Sequence, residues 1–448
     1  MKWAIYNVLF LLAYPFLLPG FLARMLKRGG YAARFWDRFA LYPKDLFGKD
    51  RPLYDSHAPA RGRAGYGEGF VWIHAVSVGE VQVAGQLMRE WRKVEPGVRF
   101  CFSTTSSTGW KMAEKEVKDG DVLIYNPLDF PTFVKGALMA VRPRAIVLTE
   151  SEIWPNFIRR AKKTGVPLFL INARVSDRSA PRYKLARWWF GDVFSCFTRI
   201  FAQSELDKRR LVDAGAPADR VDVTGSFKFD VAHRNEAKEK ELREWVGEGR
   251  ILLGGSTWPG EDEVLLKIFA RLRSSVPSLG SQVKLVLAPR HFEKADAVEA
   301  NIRKAGFDCA RRSRGESAVH LESSPSTVFL ADTTGELMGL YGIADVVFVG
   351  KSLCAHGSQN MIEPCLCGKP TFVGPYTENF RPVMSDLQEG DAIVQVKNAA
   401  ELEEKVVSLF SPEVPVALAG LGERAKAAVA KRLGVVPKCV TAIREALG

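Results

Sequence analysis

From about residue 70 onward, short apolar runs rich in β-branched and aromatic residues alternate with longer amphipathic stretches. The runs predict strands at Phe70 to Val76, Val98 to Ser103, Val122 to Tyr125, Ala145 to Thr149, Leu168 to Ile171 and Ile200 to Ala202. The intervening periodicity predicts helices that include Val81 to Val94, Phe130 to Val141 and Asn156 to Thr164. Strand and helix in regular alternation is the βαβ order of a parallel sheet with helices on both faces. A highly charged stretch, Ala232 to Arg250, interrupts the pattern. A second series follows, with strands expected at Ile251 to Gly254, Val283 to Ala288, Val328 to Ala331, Val346 to Gly350 and Thr371 to Val373, and closing helices over 416–447. The expected organisation is a domain over 31–230, a charged interdomain segment over 231–250 and a second α/β domain over 251–448. Ligands in such sheets bind at the strand C-terminal ends, so the cleft between two doubly wound domains is the expected active site. Two independent α/β modules with separate ligands are the alternative that the pattern alone leaves open.

The first residues follow a different pattern. No charge occurs from Trp3 to Ala23, and roughly 21 helical residues at ~1.5 Å each reach ~31 Å, the thickness of a bilayer core. The reading is a membrane anchor and basic flank over 1–30, one that holds the chain to the bilayer without contributing to its core. Pro15, Pro19 and Gly20 leave a tilted, kinked or re-entrant anchor open beside a straight span. No small-x-small cleavage site follows, which argues against a removed signal peptide. Arg24, Lys27, Arg28, Arg34 and Arg38 instead place the downstream region on the cytoplasmic side, against anionic headgroups.

Composition adds two restrictions. Sixty-three Lys plus Arg against 51 Asp plus Glu give a net charge of +12, which suits an anionic membrane surface or phosphorylated ligands. Nucleic acid is not expected as a partner, because the chain has no zinc-finger spacing, RNP-type aromatic motif or long basic block. The 7 cysteines are scattered without a C-x-x-C pair and read as reduced thiols, and Cys365 and Cys367 read as core packing rather than a metal site.

Polar residues cluster where strands give way to helices. VWIHAVSVGE (71–80) delivers Ser77 and Glu80 at a helix start, where a carboxylate serves either as a helix cap or as a group facing a ligand. AIVLTESEIWPN (145–156) places Glu150 and Glu152 after a strand, consistent with acid–base work, with binding of a sugar hydroxyl, or with solvated loop charges. GGSTWPGEDE (254–263) offers backbone amides near Ser256 and Thr257 to a phosphate, and lacks the G-K-[ST] of a Walker A loop. APRHF (288–292) adds Arg290 as a phosphate partner. ADTTGEL (331–337), with Thr334, Gly335 and Glu336, and HGSQNMIEP (356–364), with Asn360 and Glu363, are two further polar helix starts. Each of these alone is also explained by capping and turns.

Taken in order, HAVSVGE, NPLDFP, TESEIWPN, INARVSDRS, GSFKFD, GGSTWPGE, APRHFEK, ADTTGELMGLYGIADVVFVGKSL, GSQNMIEP and VGPYTENF closely resemble the Kdo (3-deoxy-D-manno-octulosonic acid) transferases of lipopolysaccharide assembly, from about residue 70 to 395. The resemblance implies a GT-B architecture of two Rossmann-like doubly wound domains, the first taking a lipid A precursor and the second CMP-Kdo, with no metal or other cofactor. It implies an inverting transferase at the inner membrane, facing the cytoplasm. Glu80 matches the proposed general base, and Glu150 and Glu152 match the acids of the E-[ST]-E-[LI]-W-P-N motif. Ser256, Thr257, Arg290, Thr334, Gly335, Glu336, Asn360 and Glu363 fall on the CMP side, and Ser77 and Arg174 on the acceptor side. The chain departs from the pattern at Trp258, where His is usual, at Lys351, where Gly is usual, and at Ser358 and Gln359, which replace Gly and His. A related transferase using another nucleotide sugar, or an inactive membrane-associated nucleotide-binding protein, are the rival readings.

Overall fold

The computed structural model describes residues 2–29, 32–48, 69–230, 235–275, 283–317, 326–411, 418 and 420–448. The Gly/Pro/Arg-rich stretch at 49–68 lies outside these residues. The chain forms two compact units, Met1–Lys228 with Gly434–Gly448, and Phe229–Leu433.

The first unit is built on a seven-stranded sheet of order β3-β2-β1-β4-β5-β6-β7. Its strands are β1 (Val71–His74), β2 (Phe100–Thr104), β3 (Val122–Tyr125), β4 (Ala145–Thr149), β5 (Leu168–Ala173), β6 (Arg199–Ala202) and β7 (Val221–Val223). Every pairing is parallel. Alternation sends Trp72, Ile146, Leu148 and Leu170 into one apolar layer and Val71, Ile73, Val147 and Phe169 into the other. Strands buried on both faces read as unbroken apolar runs, which explains why most were legible. The order reverses between β1 and β4, so their C-terminal ends frame the switch point where ligands bind in open α/β sheets.

The second unit repeats the plan with order β10-β11-β9-β8-β12-β13-β14, all parallel. Its strands are β8 (Arg250–Thr257), β9 (Val283–Pro289), β10 (Asp308–Arg311), β11 (Thr327–Leu330), β12 (Val346–Val349), β13 (Thr371–Val373) and β14 (Val394–Gln395). Here the switch point falls between β8 and β12. All seven cysteines are unpaired, and Cys365 and Cys367 are buried in the core, where burial pushes the Cys365 thiol up to about 12.

Three expectations are corrected. The charged run is not a spacer: it carries the helix Glu236–Val246, whose Leu242, Trp245 and Val246 are buried in the second unit's core. The closing helices divide, since Leu421–Ala430 stays with the second unit while Val435–Leu447 packs against helix Val78–Val94 of the first. Its Val435, Val436, Cys439, Val440 and Ile443 are buried there.

The third correction concerns the amino terminus. Lys2–Arg28 is one helix containing Pro15 and Pro19, and among the described residues no helix is long and apolar enough to cross a membrane. Nor does it stand apart from the core. Trp3, Tyr6, Asn7, Phe10 and Tyr14 recur at helical spacing and form one docked stripe. Trp3 meets Trp189, Phe10 meets Phe130, the Tyr6 hydroxyl donates to Asp129 at 3.0 Å, Asn156 donates to Asn7 at 2.6 Å, and Lys2 pairs with Asp192 at 2.9 Å. Ile5, Val8, Leu9, Leu11, Leu12 and Phe16 remain exposed.

Candidate active site

In the first unit the turn after β1 enters helix Val78–Val94 through a reciprocal cap. Exposed Ser77 is the N-cap: its hydroxyl accepts from the Glu80 N–H at 3.3 Å and donates to Glu80 Oε1 at 2.9 Å. The buried Glu80 carboxylate also accepts, at Oε2, from the Val76 N–H at 2.8 Å and from the Thr149 hydroxyl at 3.3 Å. Thr149 ends β4, and its one hydroxyl proton is shared with the His74 carbonyl of β1 at 3.0 Å, the contact that ties together the two strands framing the switch point. A carboxylate offers about four acceptor positions, which leaves Oε1 with room for one more proton donor.

The next residue after β4, Glu150, has φ +49, and Asn172 at the end of β5 has φ +51. Left-handed backbone at two non-glycine residues stores strain of order 1 kcal/mol each and is concentrated at functional sites. Asn172 donates to Glu150 Oε1 at 3.2 Å and accepts from the Phe227 N–H at 3.1 Å, and Arg174 stands 3.8 Å from Glu150 Oε2. Burial raises the Glu150 carboxyl above its usual range, Arg174 and Lys228 oppose this, and the neighbouring Glu80 carboxylate adds to it. Lys228 in turn is lowered by burial. Glu152 accepts from the Trp154 indole at 2.9 Å and lies 3.7 Å from Nε2 of the fully buried His74, whose Nδ1 faces Ser103 Oγ at 2.9 Å. Ser77, Glu80, Glu150, Glu152 and Arg174 are thus brought to neighbouring strand ends of one sheet. His74, Asn172 and Lys228 join them, each lying inside a motif noted above but not singled out.

In the second unit Ser256 (φ +53) and buried Thr257 end β8, and the Arg290 N–H after β9 donates to the Thr257 carbonyl at 3.1 Å. Glu261, fully buried, organises this corner. Its Oε2 accepts from the N–H groups of Trp258 and Lys351 at 2.8 Å each, and its Oε1 from those of Ser352, Leu353 and Cys354 at 3.1, 3.0 and 3.3 Å. One carboxylate therefore fixes the loops after β8 and β12 together. Asp262 is also buried, and burial pushes its carboxyl up to about 6; the nearby Thr257 hydroxyl opposes this, although no well-aligned hydrogen bond joins the two. Asn360 donates to Glu363 Oε1 at 3.0 Å, and burial raises the Glu363 carboxyl against that bond. Thr334 and Gly335 are exposed, but Glu336 is committed elsewhere: it pairs with Arg312 at 3.0 Å and Lys238 at 3.3 Å and accepts from Thr333. Burial raises its carboxyl and the Arg312 hydrogen bond outweighs this, so it lies below the usual range. Glu336 is therefore an ion-pair anchor in this fold rather than an open ligand contact. Among the described residues no group of three His, Cys, Asp or Glu stands together as a metal site.

The family model described as 3-Deoxy-D-manno-octulosonic-acid transferase (kdotransferase) matches residues 33–231. The 3-deoxy-D-manno-octulosonic acid transferase of Haemophilus influenzae is 34% identical over 75% of this chain and 78% of its own. That of Bordetella pertussis is 33% identical over 88% of this chain and 93% of its own. A solved glycosyltransferase from Rickettsia africae ESF-5 matches 84% of this chain and 99% of its own with a TM-score of 0.54 at 15% identity, which shows two parallel-sheet α/β domains similar to GT-B glycosyltransferases. Identity above 30% sustained over three quarters or more of the chain settles its membership: it belongs to the 3-deoxy-D-manno-octulosonic acid transferase family of glycosyltransferases.

Proposed function

We propose that this glycosyltransferase moves Kdo from CMP-Kdo to a glucosamine hydroxyl of a lipid A precursor, lipid IVA, with inversion and without a metal. The identity shared with the Haemophilus and Bordetella transferases carries this reading. The acceptor oxygen attacks the anomeric carbon of Kdo while the bond from that carbon to the phosphate oxygen breaks, and CMP leaves with the electron pair. Glu80 takes the hydroxyl proton on Oε1, the oxygen with acceptor capacity left. Glu150, Glu152 and Arg174 orient the acceptor. Arg290 and the amides near Ser256 and Thr257 hold the departing phosphate, and Asn360 and Glu363 the ribose.

The amino-terminal helix supports a place at the inner membrane, lying on its cytoplasmic face. With one stripe docked on protein, its outward residues from Ile5 to Phe16 form an apolar strip suited to the headgroup boundary, and basic residues follow in sequence. The test is to incubate purified protein with CMP-Kdo and lipid IVA and analyse the lipid by mass spectrometry. The expected outcome is a product heavier by Kdo, CMP released in equal amount, and a rate unchanged by EDTA. An unmodified lipid, or a rate abolished by EDTA and restored by a divalent ion, overturns the proposal.

A further inference from the structure

Where β8, β9 and β12 end side by side, the second unit holds a cation that the contacts above leave unexplained. Lys351 is the second residue after β12 and has φ +57, a conformation that L side chains rarely adopt. The residue before it cannot project anything: a Cβ on Gly350 would lie 2.3 Å from the Ser256 carbonyl oxygen and 2.5 Å from the Thr257 Cα. Lys351 is thus the first position after β12 able to place a side chain beside the end of β8. Its N–H is fixed by the same Glu261 oxygen that fixes Trp258, and its ammonium sits 4.9 Å from the centroid of the Trp258 ring. The His291 ring contacts the same indole, with centroids 5.3 Å apart. No carboxylate pairs with Lys351 among the described residues.

Other groups at this junction also lack partners. The enclosed Trp258 indole N–H has no hydrogen bond, whereas the Thr257 hydroxyl, in a residue only 2% exposed, has the buried Asp262 carboxyl beside it. Arg290, tied to Thr257 through its backbone, is exposed. Two cations without a carboxylate partner and an indole N–H without an acceptor among the described residues, together at a switch point, match an anionic ligand carrying several acceptor oxygens. A strained backbone that carries a charge is what a binding role would maintain, because glycine there would relieve the strain and lose the cation.

We infer that Lys351, steered by the face of Trp258, binds anionic oxygen of the nucleotide-sugar donor. Trp258 is a positioning residue for the ammonium. The assignment rests on the CMP-Kdo reading, and two sources of anionic oxygen exist in that donor, the phosphate and the sugar carboxylate.

Calorimetric titration of the full-length protein with cytidine, CMP and CMP-Kdo tests it. In Lys351→Gly the melting temperature should equal or exceed that of the wild type, affinity for the charged ligands should fall about tenfold or more, and cytidine binding should be unchanged. Loss with CMP and CMP-Kdo alike identifies the phosphate, and loss with CMP-Kdo alone the carboxylate. Lys351→Met should reproduce the loss, and both variants should flatten the dependence of affinity on salt. Trp258→Leu should weaken binding in the same way and Trp258→Phe restore it, which a merely structural tryptophan would not do. Unchanged affinity for CMP and CMP-Kdo in folded Lys351 variants, or an equal loss of cytidine binding, overturns the assignment while leaving the proposed reaction intact. A wild type that bound neither CMP nor CMP-Kdo would overturn both.

Discussion

On the proposed mechanism Glu80 combines two roles on one pair of oxygens. Its contacts with Ser77 and the Val76 N–H are those of a helix cap, and the Thr149 hydroxyl, shared with the His74 carbonyl, ties that cap to β4. A cap alone is worth ~1 kcal/mol, whereas loss of general-base assistance costs ~100 to 10,000-fold in rate. Glu80→Gln keeps the size and an acceptor oxygen but cannot take the proton. Its single-turnover rate should drop within that range while CMP affinity holds and the melting temperature falls by only a few degrees; a near wild-type rate would reduce Glu80 to its capping role. The place of this glutamate at the helix start was legible because it sits within a few residues of the strand before it. Glu261 was not legible, although it lies in a motif of the same kind. Four of its five N–H partners are on residues 351–354, brought back by the fold rather than by the sequence around it.

At the scale of elements, what escaped the sequence is equally specific. β7, β10 and β14 were not foreseen, and all three are sheet edges. An edge strand has a neighbour on one side only, and these are short and polar, as VDV, DCAR and VQ show. The interior strands needed apolar residues on both faces and announced themselves. The amino-terminal helix differs for the opposite reason: its apolar length suggests an anchor that stands apart from the core, while Tyr6 and Asn7 mark the stripe that faces protein. Asp129 accepts from Tyr6 and also from the N–H groups of Asn156 and Phe157, at the start of the helix that follows the Glu150–Glu152 loop. Tyr6→Phe should therefore destabilise the protein by about 1 kcal/mol, the worth of one partly buried hydrogen bond. Protection of the amides of Asn156 and Phe157 against hydrogen exchange should fall in parallel. An unchanged exchange pattern would mean that the helix docks without bracing that loop.

For the whole molecule, the chain's return matters most. Residues 434–448 follow the second unit in sequence but complete the core of the first. Burial of an aliphatic side chain contributes ~1.5–3 kcal/mol, so the buried residues of Val435–Leu447 supply several kcal/mol to a unit assembled from residues more than 200 positions upstream. Truncation after Leu433 should lower the melting temperature of the first unit and speed exchange in helix Val78–Val94, leaving the amides of β8 to β14 protected. Loss of protection in the second sheet instead would refute this division. The remaining feature with consequences is Glu261. It holds the β12 loop entirely through main-chain N–H groups, which every residue except proline possesses. Positions 351 and 354 can therefore change their side chains with little effect on the path of the loop. Such a loop is a variable surface on a fixed frame, and descendants of this enzyme could explore new sugar donors there one substitution at a time without first having to invent a new fold.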